Sequence, residues 1–215
     1  MGKNRSSARA YDKDGNELEG DAVLNNPVNN VSWYEALVYC NKLSMQEKLT
    51  PCYSIDGLTD PDAWGEAPTT FNDITWNVTC NFKANGYRLP TEAEWEWLAR
   101  GGENYKYAGS DTIDDVAWYY YNGTLGTRDV KTKAPNGYGL YDMSGNVWEW
   151  CWDWYVRDIS DSTAADGAAS GSYRVYRGGS WDANTSSDAS VYYRYSSYSS
   201  FRYYDLGFRV VRLAN

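Results

Sequence analysis

The sequence predicts an α+β domain in which two helices come early and short strands joined by long loops follow. Two segments before residue 102 combine helical spacing of apolar residues with a capping box at their start. Beyond residue 102 the chain is dense in Gly and aromatic residues and holds several short strand candidates. Helices first and strands later favour small antiparallel sheets with much irregular loop over an alternating arrangement.

The first helix is predicted to begin after Ser32. Ser32 followed by Glu35 forms a capping box, and Trp33 and Leu37 open an apolar stripe of about four turns. Pro51 ends this helix. Before it, residues 1–26 form a polar N-terminal segment, in which Asp14-Gly15 predicts a tight turn rather than a calcium loop.

The second helix is also predicted to begin with a capping box. Thr91 and Glu94 form another capping box, and Gly101-Gly102 supplies a C-terminal stop. We expect four Trp side chains near this helix and a later strand to be core residues: Trp95, Trp97, Trp148 and Trp150. Residues 27–215 are thereby predicted to form a single domain.

The remaining elements are short strands and loops. The strand candidates are residues 52–55, 74–78, 118–121, 147–150, 173–176 and 208–213. Residues 157–172, rich in Asp, Ser, Ala and Gly, are predicted to be an exposed loop.

Composition excludes several classes of function. The net charge is -9 and no basic run exceeds two residues, which argues against nucleic acid and anionic membrane surfaces as partners. No stretch is apolar enough to span a bilayer, so no direct membrane insertion is expected. The chain has no His, which removes the commonest general base and metal ligand.

The four Cys match no zinc pattern. Cys40, Cys52, Cys80 and Cys151 each lie in an aromatic or apolar setting, which favours buried thiols. One disulfide, such as Cys52–Cys80, is the alternative.

Residues 182–205, called here the Tyr–Ser segment, have the most unusual composition. They hold six Tyr, seven Ser and three Asp, and lack Lys, Glu, Gln, Met and Trp. Tyr offers large, rigid contact area and Ser adaptable hydrogen bonding, as in antibody paratopes. This composition predicts a binding surface, whereas a low-complexity solvated loop is the alternative.

Five motifs together resemble one family. In chain order they are Asn29–Ala36, Gly86–Glu96, Pro135–Trp150, Arg177–Trp181 and Gly207–Arg209. Their order and spacing are similar to the formylglycine-generating-enzyme (sulfatase-modifying factor) family. The resemblance implies a variant of the C-type lectin fold over residues 27–213, although the opening strands of that fold are not recognisable before the first helix.

The resemblance does not extend to the family's oxidase chemistry. The family pattern places Ser186 and Val191 where formylglycine-generating members carry two Cys, a few residues before an Arg that resembles Arg194. Neither residue can bind copper or form a redox thiol pair. We therefore expect no enzyme activity, the alternative being a modifying enzyme with a displaced active site.

The resemblance also implies roles for other polar residues. Asn146 and Glu149 match positions around a calcium ion in some members, so calcium is a possible ligand although no other cofactor is expected. Arg177 and Arg209 are expected to pair with buried acids such as Glu94 or Glu149.

The amino acids missing from the Tyr–Ser segment have a coding explanation. Asn codons that end in a pyrimidine and are mutated at both adenines cannot reach Lys, Glu, Gln, Met or Trp. The segment therefore resembles the variable region of retroelement-diversified proteins, most closely those of the treponemal type. The expected diversified, ligand-binding positions are Asp182, Ala183, Asn184, Ser187, Tyr192, Tyr193, Tyr195, Ser196, Ser197, Tyr198, Ser200, Phe201, Tyr203, Tyr204 and Asp205.

The resemblance further implies where such a protein acts. Its ligand would be a protein or glycan on another cell or host surface, and the chain would lie at the cell surface or be secreted.

Arg194 and Arg202 stand at fixed positions of the family pattern, so we expect them to anchor the segment.

Overall fold

A computed structural model describes residues 9–12, 14–19, 24–71, 76–123, 125–159 and 167–213. These residues contain three α-helices: α1 (Trp33–Gln46), α2 (Glu92–Arg100) and α3 (Ile113–Val116). They also contain eleven strands: β1 (Arg9–Tyr11), β2 (Glu17–Leu18), β3 (Tyr53–Ile55), β4 (Val78–Cys80), β5 (Ala117–Trp118), β6 (Gly126–Arg128), β7 (Ser144–Gly145), β8 (Trp148–Trp154), β9 (Arg174–Arg177), β10 (Arg194–Ser197) and β11 (Leu206–Phe208). No described helix has the length and apolarity to cross a bilayer.

Both predicted helices begin at their capping boxes. The Ser32 hydroxyl accepts from the Glu35 amide, and the Glu35 carboxylate accepts from the Ser32 amide at 2.9 Å. Thr91 and Glu94 repeat this pair at the start of α2, which ends at Gly101 in the left-handed conformation. Helix α3 was not predicted, because its four residues are too few to show a helical period.

The largest sheet has the order β10-β9-β8-β11. Neighbouring strands are antiparallel except β11, which runs parallel to β8. This sheet is therefore mixed, because the chain between β10 and β11 crosses from one edge of the sheet to the other before re-entering it. This crossing lays residues 198–205 across one side of the domain.

The opening strands come from residues that the sequence identified only as polar. Strands β1 and β2 form a hairpin, and β1 also pairs in parallel with β6. The turn at Asp14-Gly15 is confirmed: the Asp12 carboxylate accepts from the Asp14 and Asn16 amides. Residues 74–75 of the candidate strand 74–78 and residues 160–166 of the candidate loop lie outside the described residues, and β4 begins at Val78.

Strand β8 is buried on both faces. Trp148, Trp150 and Trp152 point towards α1, and Cys151 on the other face packs with Trp95 of α2. Trp95 and Trp150 are fully buried, as predicted. Trp148 is only half-buried.

The prediction for Trp97 was wrong. Its side chain is 61% exposed, since it lies on the face of α2 opposite Trp95, and it packs on the ring of Tyr138.

All four Cys lie within the described residues and are thiols rather than disulfide partners. Cys40, Cys52 and Cys151 are buried as predicted, while Cys80 is half-buried. The Cys52 sulfur lies 3.3 Å from the Gly86 carbonyl oxygen, so it is engaged without a disulfide to Cys80. Burial raises the pKa of the Cys40 and Cys151 thiols well above the ordinary value, which keeps both protonated.

Candidate ligand-binding surface

The Tyr–Ser segment leaves β9 through a glycine turn. Gly179 has φ 76°, and a Cβ there would lie 2.8 Å from the Ala189 Cα, so glycine is required for the close approach. The chain then forms a 3₁₀ turn at Ser186–Ala189 and strand β10, and crosses to β11. Both ends are joined by the Ser180 hydroxyl, which donates to the Asp205 carboxylate at 2.7 Å.

The rest of the described chain, called here the frame, holds the segment through backbone carbonyls. Frame N–H and O–H groups donate to carbonyl oxygens spread along the segment. The pairs are Arg177 to Val191 (2.9 Å) and Tyr193 (2.8 Å), Ser144 to Ala189 (2.7 Å), Trp33 to Ser199 (3.1 Å) and Asn30 to Tyr203 (2.9 Å). Such contacts fix the path of the backbone and leave the side chains free to differ.

Two arginines of the segment act as anchors, as predicted. The Arg194 guanidinium makes a bidentate pair with Glu92 of α2, at 2.5 and 2.7 Å. Arg202 donates to the Glu35 carboxylate at 2.7 Å, and therefore reaches the capping box of α1. Both pairs are shielded from solvent on at least one partner, which strengthens them relative to surface ion pairs.

Arg177 is fully buried beneath the segment. Its guanidinium donates to Glu96 at 2.6 Å and lies 3.6 Å from Glu92. The predicted pairing with a buried acid holds, but with these partners rather than Glu94, which pairs with Arg88.

The predicted binding residues differ in exposure. Five are exposed: Asn184, Tyr192, Tyr195, Tyr203 and Tyr204. Seven are half-buried: Asp182, Ser187, Tyr193, Ser196, Tyr198, Phe201 and Asp205. Three are buried and offer no contact area: Ala183, Ser197 and Ser200. A loop that packs on a sheet must turn some side chains inwards, which composition alone cannot reveal.

An aromatic cluster extends the surface beyond the segment. The Tyr198 ring stacks on Phe71 at 5.0 Å and contacts Tyr173 at 4.7 Å. Phe201 joins Tyr198 to Tyr203, with centroid distances of 5.2 and 6.1 Å. Phe71 and Tyr173 were missed as surface residues. Phe71 carries no sequence signal for this contact, while Tyr173 was identified as a strand residue.

The segment and the frame also enclose a cavity of about 210 Å³. Its lining residues are Trp148, Tyr176, Ser180, Asp182, Ala183, Asn184, Asp188, Tyr193, Tyr195 and Asp205. The frame supplies Trp148 and Tyr176, whose rings are 5.2 Å apart, and the segment supplies Tyr193 and Tyr195. Sequence reasoning missed Asp188 and both frame rings as site residues.

The pKa values of two groups in this region, Asp205 and Tyr204, are raised. Burial raises the pKa of Asp205, a shift that the nearby Asp182 charge increases. Asp182 accepts from the Tyr204 hydroxyl at 2.7 Å, and this hydrogen bond raises the pKa of Tyr204 to about 12. Tyr204 is therefore a neutral donor at physiological pH.

The positions expected to lack the oxidase thiols are inert. Ser186 is exposed at the start of the 3₁₀ turn, and Val191 is 1% exposed in the core beside Cys151. Val191 thus contributes to packing and not to a redox pair.

The geometry at Asn146 and Glu149 does not fit a calcium ion. Glu149 accepts from the Trp95 indole at 2.8 Å and from Arg209 at 2.8 and 3.0 Å. The Asn146 amide oxygen accepts from the Arg128 amide at 3.1 Å. A calcium ion would need the Glu149 carboxylate and the Asn146 amide oxygen as ligands, but both already accept hydrogen bonds. The Arg209 guanidinium also neutralises the Glu149 charge. The predicted pairing of Arg209 with Glu149 is therefore confirmed.

Residues 3–214 match the sulfatase-modifying factor enzyme 1-like domain. The chain belongs to the sulfatase-modifying factor family. It is 40% identical over 176 residues to the chaperone protein LppX of Paenibacillus barcinonensis, covering 72% of this chain and 59% of LppX. It is 39% identical over 127 residues to the formylglycine-generating enzyme of Streptomyces coelicolor, covering 50% and 40%. The chain therefore spans less than two thirds of these relatives.

Solved structures of the same fold bear out the predicted α+β class and family fold. Treponema denticola variable protein 1 superposes with a TM-score of 0.80 at 41% identity, covering 91% of this chain and 74% of that one. CarF superposes with a TM-score of 0.68 at 36% identity, covering 89% and 69%. This member of the sulfatase-modifying factor family is thus similar both to formylglycine-generating enzymes and to a treponemal variable protein.

Proposed function

We propose that the chain is a non-catalytic ligand-binding protein of lectin-like fold whose Tyr–Ser segment is diversified by a retroelement. The observation that carries this proposal is the way the frame holds the segment. Frame donors bind backbone carbonyls at residues 189, 191, 193, 199 and 203, and carbonyls are the same for every side chain. A scaffold built in this way accepts many sequences on one backbone.

The side chains presented by the segment support a binding role. Tyr195 and Tyr204 are about half exposed, at 51% and 48%, beside the aromatic cluster and the acidic cavity. Partly exposed aromatic rings grouped on one face are typical of interaction surfaces. On this proposal the ligand is a protein or glycan on another cell or host surface, and the chain acts at the cell surface or after secretion.

The segment also lacks the groups for the oxidase alternative. Ser186 and Val191 stand at the thiol positions, and every Cys of the chain lies at or before residue 151. The thiols of Cys40 and Cys151 are protonated and fully buried, which makes them poor metal ligands and nucleophiles.

Sequencing the gene in several isolates tests diversification. We expect amino-acid differences at the exposed and half-buried positions of the segment, without Lys, Glu, Gln, Met or Trp. The internal control is the stretch at residues 103–123, which includes α3 and β5 and should stay constant. Equal variation in both regions would contradict the proposal.

A display experiment tests binding separately. In one library the exposed residues Asn184, Tyr192, Tyr195, Tyr203 and Tyr204 are randomised, and selection is made against a panel of purified proteins. The matched library randomises five exposed frame residues, Tyr39, Tyr105, Tyr120, Tyr121 and Tyr138. We expect target-specific binders from the first library only. Equal yields would show that the segment has no special capacity for recognition.

A further inference from the structure

We infer that the cavity beneath Tyr193 and Tyr195 binds the guanidinium group of an arginine side chain on a protein ligand. This inference rests on the proposed binding function and assigns the chemistry of one part of that surface. The cavity of about 210 Å³ is below the roughly 300–1,000 Å³ of pockets for drug-sized molecules, so it suits one side-chain head group.

The walls of the cavity are aromatic. Tyr176 and Tyr195 are 5.4 Å apart between ring centroids, and Trp148 lies 6.1–6.3 Å from Tyr193 and Tyr195. Four aromatic residues packed at these distances line one small volume. Cations bind such faces through the ring quadrupole, and the effect strengthens when water is excluded.

The charge of the cavity is negative and unbalanced. Asp182, Asp188 and Asp205 line it, and the lining residues, all within the described part of the chain, include no Lys or Arg. Asp205 is partly withdrawn from solvent and lies near the Asp182 charge. A cationic ligand would neutralise this charge and offset the cost of holding carboxylates together away from water.

The shape favours a planar cation. The rings of Tyr193 and Tyr195 are nearly parallel, with an interplanar angle of 14°. A guanidinium group is planar, weakly hydrated and stacks on aromatic faces, whereas an ammonium is compact and strongly hydrated. A metal ion would use the carboxylates but not the rings, because hard cations take oxygen ligands.

Some residues that line the cavity belong to the predicted diversified set and others do not, so the preference for arginine would belong to this variant of the segment. Trp148, Tyr176 and Asp188 lie outside the predicted diversified set, and would form an aromatic floor with one charge in every variant. Asp182, Tyr193, Tyr195 and Asp205 belong to that set. The preference for arginine would therefore change with the sequence of the segment while the floor remains.

The test is an NMR titration of protein labelled with ¹⁵N at the Trp indoles, with the Trp148 signal assigned by Trp148→Phe. The probes are N-acetyl-arginine amide, N-acetyl-lysine amide, calcium chloride and the uncharged isostere N-acetyl-citrulline amide. We expect a saturable, salt-sensitive shift of the Trp148 indole, with arginine binding about tenfold more tightly than citrulline.

Two matched variants test whether arginine binds in this cavity. Asp188→Asn should weaken arginine binding several-fold, whereas Glu66→Gln, which removes one exposed carboxylate elsewhere, should not. Equal response to arginine and citrulline, or a response to calcium or lysine alone, would overturn the inference. The comparison of probes on the wild-type protein does not use Asp188→Asn, so a misfolded Asp188→Asn protein leaves the test decisive.

Failure of this titration is distinguishable from failure of the proposed function. If isolates vary within the segment and arginine does not bind, the surface is diversified and only the assignment of the cavity is wrong. If arginine binds and isolates do not vary, the cavity stands and diversification is wrong.

Discussion

At the residue scale, the same residue type has different roles according to its place on an element. Trp95 and Trp97 are two positions apart on α2, so their side chains point to opposite sides of the helix. Trp95 is fully buried and donates to Glu149, while Trp97 is largely exposed. Composition predicts that a chain with many Trp has an aromatic core, but not which rings form it.

A comparison of two Trp variants checks this difference. Trp150→Ala should lower the free energy of unfolding by about 3–5 kcal/mol, because it leaves a large cavity in the core and orphans the Val31 carbonyl. The matched variant Trp97→Ala should cost less than about 1 kcal/mol. Urea denaturation measures both, and equal losses would contradict the assignment of core and surface.

Asp153 predicts a pH-dependent contribution to stability. Burial raises its pKa to about 6, from about 3.9 in an unfolded chain. Between these values the folded state binds more protons than the unfolded state, so stability from this group is present at low pH and lost as pH rises towards 6. Asp153→Asn, which can still accept from the Glu92 amide, should therefore gain up to about 3 kcal/mol relative to wild type between pH 4 and pH 7.

Urea denaturation at a series of pH values measures this gap. The matched variant Glu66→Gln, at an exposed carboxylate, should follow the wild-type curve throughout. A constant gap between Asp153→Asn and wild type would mean that Asp153 does not titrate in this window.

At the element scale, the Tyr–Ser segment consists of a 3₁₀ turn, strand β10 and connecting loops, whose order comes from contacts with the frame. Arg177 donates to two of its carbonyls, and Arg194 and Arg202 tie it to the first turns of α2 and α1. These contacts join the segment to both helices. Its shape therefore depends on buried frame groups more than on its exposed rings.

This dependence can be measured with two variants. Replacing Tyr192, Tyr195 and Tyr204 together by Ser should change the free energy of unfolding by less than about 1.5 kcal/mol, because exposed substitutions are usually worth within about 0.5 kcal/mol each. Arg177→Met should cost about 3–5 kcal/mol, since it removes a buried hydrogen-bonded partner of Glu96 and leaves the Val191 and Tyr193 carbonyls without their donor. A larger loss in the Tyr variant would show that the exposed rings hold the loop.

At the scale of the whole molecule, the proposed function separates membership of the family from its oxidase chemistry. The purified chain, incubated in air with copper and a Cys-containing sulfatase-type peptide, should produce no formylglycine above a no-protein control. The reason is that the family pattern places Ser186 and Val191 at the positions of the thiol pair. Mass spectrometry of the peptide measures the product, with a formylglycine-generating enzyme as positive control, and turnover would support a displaced active site.

The sequence predicts the parts of the fold that depend on local rules. The capping boxes at Ser32 and Thr91 involve neighbouring residues, so both helix starts are correct. The parallel pairing of β1 with β6 and of β11 with β8 joins distant residues through short strands, which carry no periodic signal. Strand pairing is therefore where prediction from this sequence fails.

The residues of the candidate site were also only partly predictable from the sequence. Composition identifies residues 182–205 because a biased segment is visible without knowing the fold. The frame residues Trp148, Tyr176 and Phe71 reach the surface only through sheet register and chain crossing. The burial of Ser197 and Ser200 depends on the same packing, so these positions could not be separated from their exposed neighbours.

For the proposed binding function, anchoring through backbone carbonyls has a consequence for the kinetics of recognition. Ordering a flexible side chain at an interface costs about 0.5–1.5 kcal/mol, and ordering a loop costs more. Here the loop is already ordered by Arg177, Ser144 and Trp33 before any ligand arrives. Variants of the segment should thus associate with their ligands at similar rates and differ mainly in how long the complexes last.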